Sequence, residues 1–369
     1  MPNLDNLISF PIKGAGQSSR AEWTPIPPSS SHILVTDTTD SPALFVLTHF
    51  LRASHEINKK HRAAAAVRPK GKLKAHTKVI WLGCNSDGFV HLKNVARKSG
   101  VHLDEELRDE AFCYIDLNEQ VLNASAPDEI ADDLIALRLQ DAPSGTAQQA
   151  LIRFLAKVSE QLSNTSSAIQ GAIEFDWTSS KIVIVDDLTA LAWTLDSVDS
   201  FGQPIDVARQ LDNWLVALTS LAAKNQASVV TLMHADATSS SKNGASDPTD
   251  ESLFNSLLHK ADVWIEVKEL GSGRARDCDG EITVHPLVRP SLARALSPAS
   301  KTSPQRQPLS HDTPPLQAFA IETPCPKRSK AVLYRIAPDG QSAALGGASI
   351  GSNTGRVQIW ARGTGRGFL

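Results

Sequence analysis

Residues 181–187 read Lys-Ile-Val-Ile-Val-Asp-Asp. Four consecutive aliphatics between a lysine and two aspartates predict a short strand buried on both faces. Strands that are apolar throughout belong to parallel sheets covered by helices on either side. Working outward, the same kind of strand recurs at Ile33-Leu34-Val35, at 78–84 (KVIWLGC), at 112–117 (FCYIDL) and at 228–234 (SVVTLMH). Between these strands lie stretches of helical periodicity at 43–57, 88–98, 146–162, 188–195, 205–224 and 251–258. Ser41 and Pro42 read as the N-cap and first position of the first helix, and Gly100 as the stop of the second. Alternation of strand and helix is the signature of a parallel, doubly wound sheet.

Two further segments, 261–270 (ADVWIEVKEL) and 281–285, read as late strands around the turn GSGRARDCDG and extend the sheet antiparallel. The predicted fold class is α/β: a RecA-like, doubly wound, mostly parallel sheet with helices on both faces, late antiparallel strands, and a flexible basic linker and tail. The predicted organisation is an irregular N-terminal segment (1–31), one RecA-like domain (32–346) and a disordered Gly/Arg tail (347–369). Within the domain lie a basic insertion (58–77) and a proline-rich linker (286–329). A closing hairpin is predicted from 330–336 and 342–345 around Pro338-Asp339-Gly340.

Composition narrows the function classes. The chain has 369 residues, 41% hydrophobic and 21% charged, enough for a sizeable core. Its net charge of −3 excludes a globally basic nucleic-acid coat but permits local basic patches. The four cysteines, at 84, 113, 278 and 325, form no CxxC pair, so neither a zinc ribbon nor a disulfide framework is expected. The N-terminus has no secretory pattern and no stretch reaches the ~18 apolar residues of a membrane span, so the expected compartment is cytoplasm or nucleus.

A RecA-type ATPase needs GxxxxGK[ST] after its first strand: glycines let backbone N–H groups wrap the phosphates and the lysine neutralises them. The sequence there is Thr36-Asp37-Thr38-Thr39-Asp40-Ser41-Pro42, with no glycine, no lysine and two carboxylates that repel phosphate. Asp186 and Asp187 stand at a degenerate Walker B position, where an acid would hold Mg²⁺. Without a phosphate loop the alternative reading is a core strand whose Asp186 or Asp187 caps the next helix. His234, ending a buried strand, reads as a hydrogen-bonded structural residue. The GxSxG match at 347–351 lacks the flanking strand and helix, and no Asp, Glu or His follows it. The sequence therefore predicts no catalytic residue, no metal, no cofactor and no enzyme activity.

Basic patches are the remaining functional material. Lys59, Lys60, Arg62, Arg68, Lys70, Lys72, Lys74 and Lys78 run without an intervening acid, either as a phosphate-binding patch or as a solvated loop. Arg274 and Arg276 lie in the turn between the late strands and are candidates for nucleic-acid contact.

The stretches HILVTDTTDSPALFVLTHFL, KVIWLGCNSDGFVHLKNVARKSGV, KIVIVDDLTALAWTLDSV, GSGRARDCDGEITV and VLYRIAPDGQSAAL, in that order, resemble the Elongator complex protein 6 family. The resemblance implies a Walker-less RecA-like subunit that forms with Elongator subunits four and five a hetero-hexameric ring on the catalytic Elongator subcomplex. It implies tRNA binding and support of C5 modification of the wobble uridine, U34, by another subunit, with a described link to transcription elongation. It implies no membrane. Two other readings share the fold: an accessory paralogue of DNA recombination, and a ring NTPase that borrows a partner's phosphate loop.

Overall fold

The computed structural model describes residues 4–11, 23–66, 77–84, 87–117, 146–163, 181–195, 206–236, 248–270, 278–287, 331–336 and 357–361. A two-stranded ribbon, β1 (Phe10–Pro11) and β2 (Trp23–Thr24), precedes the main sheet. The chain then runs β3 (His32–Asp37), α1 (Leu44–Ala66), β4 (Lys78–Gly83), α2 (Gly88–Lys98), α3 (Leu103–Arg108) and β5 (Phe112–Asp116). It continues with α4 (Thr146–Ser163), β6 (Lys181–Asp186), α5 (Leu188–Thr194), α6 (Val207–Lys224), β7 (Ala227–His234) and α7 (Pro248–Lys260). The late strands are β8 (Val263–Lys268), β9 (Gly280–Pro286), β10 (Val332–Ile336) and β11 (Val357–Ala361).

The main sheet has nine strands in the order β11-β10-β9-β8-β3-β7-β6-β4-β5. From β8 through to β5 all pairings are parallel, and from β8 through β11 they are antiparallel. This is the mostly parallel α/β sheet with late antiparallel strands that the sequence predicts. Alternate residues of each central strand serve opposite faces. Ile33, Val35, Ile182 and Ile184 pack with α1 and α2, whereas Leu34, Val183 and Val185 pack with α4, α5, α6 and α7. Both cores are apolar and closed, which explains why these strands read as unbroken aliphatic runs.

Several expectations are corrected. The N-terminal segment is not merely an irregular lead-in. Leu4, Leu7, Ile8, Phe10 and Ile26 are each no more than 3% exposed and belong to the core beneath α1. Helix α1 continues to Ala66, so residues 58–66 of the supposed insertion are helical. Helix α3 escapes a reading by periodicity, because its acidic sequence LDEELR hides the buried positions Leu103 and Glu106. Residues 357–361, within the predicted disordered tail, form β11 and pair with β10. The partners of β10 are therefore β9 and β11, while the predicted arm 342–345 lies outside the described residues. So do the basic residues 67–76, the turn holding Arg274 and Arg276, the GxSxG match and residues 288–330.

Candidate functional site

In a parallel α/β sheet, ligands bind beyond the carboxyl ends of the strands. Here β3, β7 and β6 end side by side at Asp37, His234 and Asp186-Asp187. The register sets Asp37 directly opposite His234. The Nδ1 atom of His234 lies 2.5 Å from the Oδ1 atom of Asp37, and its Nε2 atom lies 3.2 Å from the Oδ2 atom of Asp187. One imidazole thus bridges the strand that would precede a phosphate loop and the strand that would carry Walker B. Hydrogen bonds that the ring donates to both carboxylates, Asp187 first, hold the imidazole charged and raise its pKa from 6.5 to about 10, against the opposing effect of its burial.

Local sequence explains how each group is held. Asp187 adopts φ 73°, ψ 81°, a region that Asp tolerates better than most residues. That turn aims its carboxylate back, so Oδ1 accepts the Ala190 N–H at 3.0 Å and caps α5 while Oδ2 faces His234. Asp186 points to the other side, where Oδ2 accepts the Trp81 indole N–H at 3.1 Å. The backbone N–H of His234 donates to the Thr189 hydroxyl at 2.9 Å, which ties β7 to α5.

The turn after β3 is closed from within. The Thr39 N–H and hydroxyl both donate to the Oδ2 atom of Asp236, at 2.5 and 2.7 Å. The Ser41 N–H donates to the Thr38 carbonyl at 2.9 Å. The Ala43 N–H donates to the Oδ2 atom of Asp37 at 2.8 Å. Asp37, not Ser41, therefore caps the entry to α1, which begins at Leu44, and the Ser41 hydroxyl instead faces the Asp279 carbonyl at 3.4 Å. In a phosphate loop such amides face the nucleotide. Here two of the three are answered by carboxylates, so the residues present do not fit a nucleotide phosphate. Among the described residues no cluster of His, Cys, Asp and Glu could hold a metal ion.

The other predicted site residues are dispersed. Lys59 and Lys60 are exposed on the last turns of α1. Arg62 is not available to a phosphate backbone. Its guanidinium pairs with Glu106 at 2.6 Å and also with Asp109. Glu106, buried at 2% exposure, also accepts His55 at 2.6 Å, so this cluster fastens α3 to α1. Lys78 is buried as well: it donates to the carbonyl and side-chain oxygens of Gln161 at the end of α4, and burial lowers its pKa. Arg274 and Arg276 lie outside the described residues.

No sequence signal points directly to Asp236, Thr189 or Trp81 as partners in the site. The Asp37–His234 pair is accessible in principle, because both residues end buried strands that the fold makes neighbours. A family model, Elongation complex protein 6, matches residues 71–300. The chain belongs to that family, a subunit family of Elongator. The match spans β4 to β9, including the Asp186-Asp187 turn and His234, while β3 and its closed turn lie before it. No curated protein matches. Among solved structures the chain is similar to a KaiC-like protein of the hyperthermophilic archaeon Pyrococcus horikoshii OT3, at 10% identity and a TM-score of 0.39, over 78% of this chain and 84% of that one. The fold assignment rests on the strand order rather than on that likeness. No helix among the described residues is long and apolar enough to cross a membrane.

Proposed function

We propose that the chain is a non-catalytic subunit of Elongator, working in cytoplasm and nucleus. With subunits four and five it forms a hetero-hexameric RecA-like ring on the catalytic subcomplex. The ring binds tRNA and supports C5 modification of U34. The observation that carries the non-catalytic reading is the Asp37–His234–Asp187 bridge, which sets an internal imidazolium between the two strand ends that a nucleotide and its Mg²⁺ would occupy. With the turn amides answered by Asp37 and Asp236, the carboxyl edge of the sheet acts as a brace that fixes β3, β6 and β7 relative to one another. Family membership supplies the complex. Contact with tRNA falls to exposed cations, of which Lys59 and Lys60 are two among the described residues.

The test is complementation. Cells lacking this subunit are supplied with the wild-type chain or with Asp186→Asn, and the modified wobble nucleoside in tRNA is measured by mass spectrometry. Both chains restore it if the subunit is structural. Restoration by neither contradicts the Elongator role, and failure of Asp186→Asn alone, at equal assembly, contradicts the non-catalytic one.

A further inference from the structure

Residues 4–11 dock on α1 through apolar side chains, with Leu4, Leu7, Ile8 and Phe10 buried in the core that α1 shares with the sheet. One ion pair fastens the segment to the helix, from the Arg52 guanidinium to the Oδ1 atom of Asp5 at 2.8 Å. The Ser9 hydroxyl donates to the Asp5 carbonyl, which draws residues 5–9 into a turn, and beyond them the segment is held as β1 on β2.

Against this segment sits His49 of α1, 4% exposed. Among the described residues neither of its ring nitrogens has a hydrogen-bond partner. A polar group buried in that way gives up its hydration with nothing in return. Among the described residues the charged groups that face the ring are Asp5, whose Oδ1 atom lies 3.7 Å from Nδ1, and Arg52 on the same helix. The Asp5 carboxylate is engaged by Arg52, which also reaches Glu56 at 3.6 Å. An imidazolium here would need two acceptors and would face a guanidinium. Burial first, and the Arg52 charge second, push the imidazole from 6.5 down to about 3, and the Ile8 main chain offsets only part of this. The ring is therefore neutral while the segment is in place. With the segment displaced, water reaches both nitrogens and the ring takes a proton at its ordinary value.

We propose that residues 4–9 form an acid-released strap, closed over a neutral His49 and opened when that imidazole takes a proton. The closed form binds fewer protons than the open one. Closure is therefore fully favoured above pH 6.5 and is lost progressively as pH falls toward 3. Between pH 7.5 and 5.5 the ratio of open to closed chains rises about tenfold. His234, held charged up to about 10 in the folded chain, does not titrate in that window. Opening bares the apolar surface that Leu4, Leu7, Ile8 and Phe10 cover, so one proton governs access to it.

The experiment is hydrogen exchange of the full-length chain at pH 5.5, 6.5 and 7.5, read by mass spectrometry and corrected for the intrinsic rate at each pH. Protection of the amides at 4–10 should fall about tenfold from pH 7.5 to 5.5, and should stay below that of Lys181–Asp186 throughout. His49→Gln and His49→Phe, neither of which titrates, should each abolish the pH dependence. Asp5→Asn loosens the strap at every pH but keeps the slope. Strap protection in the wild type that does not change with pH overturns the proposal. So does a slope that survives in the His49 variants. Equal protection of the strap and of Lys181–Asp186 overturns it as well, because the two would then open only together; the wild-type chain alone decides this.

Discussion

Replacing His234 by glutamine removes the imidazolium but leaves Asp37 bonded to the Ala43 N–H and Asp187 to the Ala190 N–H. Raising the imidazole from 6.5 to about 10 corresponds to at most ~5 kcal/mol of preference for its charged form, at ~1.4 kcal/mol per pH unit. The His234 side chain is 34% exposed, and solvent screening brings the expected contribution down to about 2–3 kcal/mol. The sign follows from linkage. Below pH 6.5 the histidine is protonated in folded and unfolded chains alike, and the stabilisation is complete. Between pH 6.5 and about 10 the unfolded chain gives up its proton first, so the wild type loses stability relative to the variant. Urea unfolding followed by tryptophan fluorescence at pH 6, 7.5, 9 and 10 measures this directly. The gap between wild type and His234→Gln should be widest at pH 6 and nearly closed at pH 10. A gap that is constant, or that widens as pH rises, would refute the charged bridge.

Four further outcomes are expected. Arg62→Ala leaves the buried Glu106 short of a cation, so it should lower stability by ~2 kcal/mol in thermal melts, whereas Lys59→Ala with Lys60→Ala should leave stability unchanged and flatten the salt dependence of tRNA binding by about 0.7–0.9 for each phosphate no longer neutralised. Phe10→Ala, at a site with 0% exposure, should cost about 3 kcal/mol in denaturant unfolding, a result foreign to an N-terminal segment that stands clear of the core. Gly83→Ala sets its new Cβ 2.0 Å from the Tyr114 hydroxyl oxygen, which predicts a loss of about 1–3 kcal/mol that Tyr114→Leu in the same chain largely relieves.

The fold was legible because its central strands are buried on both faces and therefore read as aliphatic runs. Lys181–Asp186 and Ala227–His234 needed no tertiary context to be recognised. The antiparallel pair β8 and β9 was legible from two strand patterns around a glycine-containing turn. What escaped was structure whose cause lies at a distance. Val357–Ala361 sits among glycines and arginines, and β10 is what makes it a strand. Leu4 to Phe10 looks like a loose lead until α1 covers it. Arg62 looks like a free cation until Glu106 and Asp109 arrive from α3 and its end. At the candidate site, the missing phosphate loop was readable locally, and so was a helix cap at Asp186 or Asp187, of which the structure assigns Asp187. The His234 bridge joins residues 37, 187 and 234, and only the strand order brings them together.

The central claim is that the carboxyl edge of this sheet is closed by its own side chains and does not serve nucleotide chemistry. Titrating Mg·ATP into the purified chain by calorimetry tests it most directly. The account predicts no saturable heat up to millimolar nucleotide, for the wild type and for Asp186→Asn alike. Saturable binding by the wild type that Asp186→Asn abolishes would contradict it.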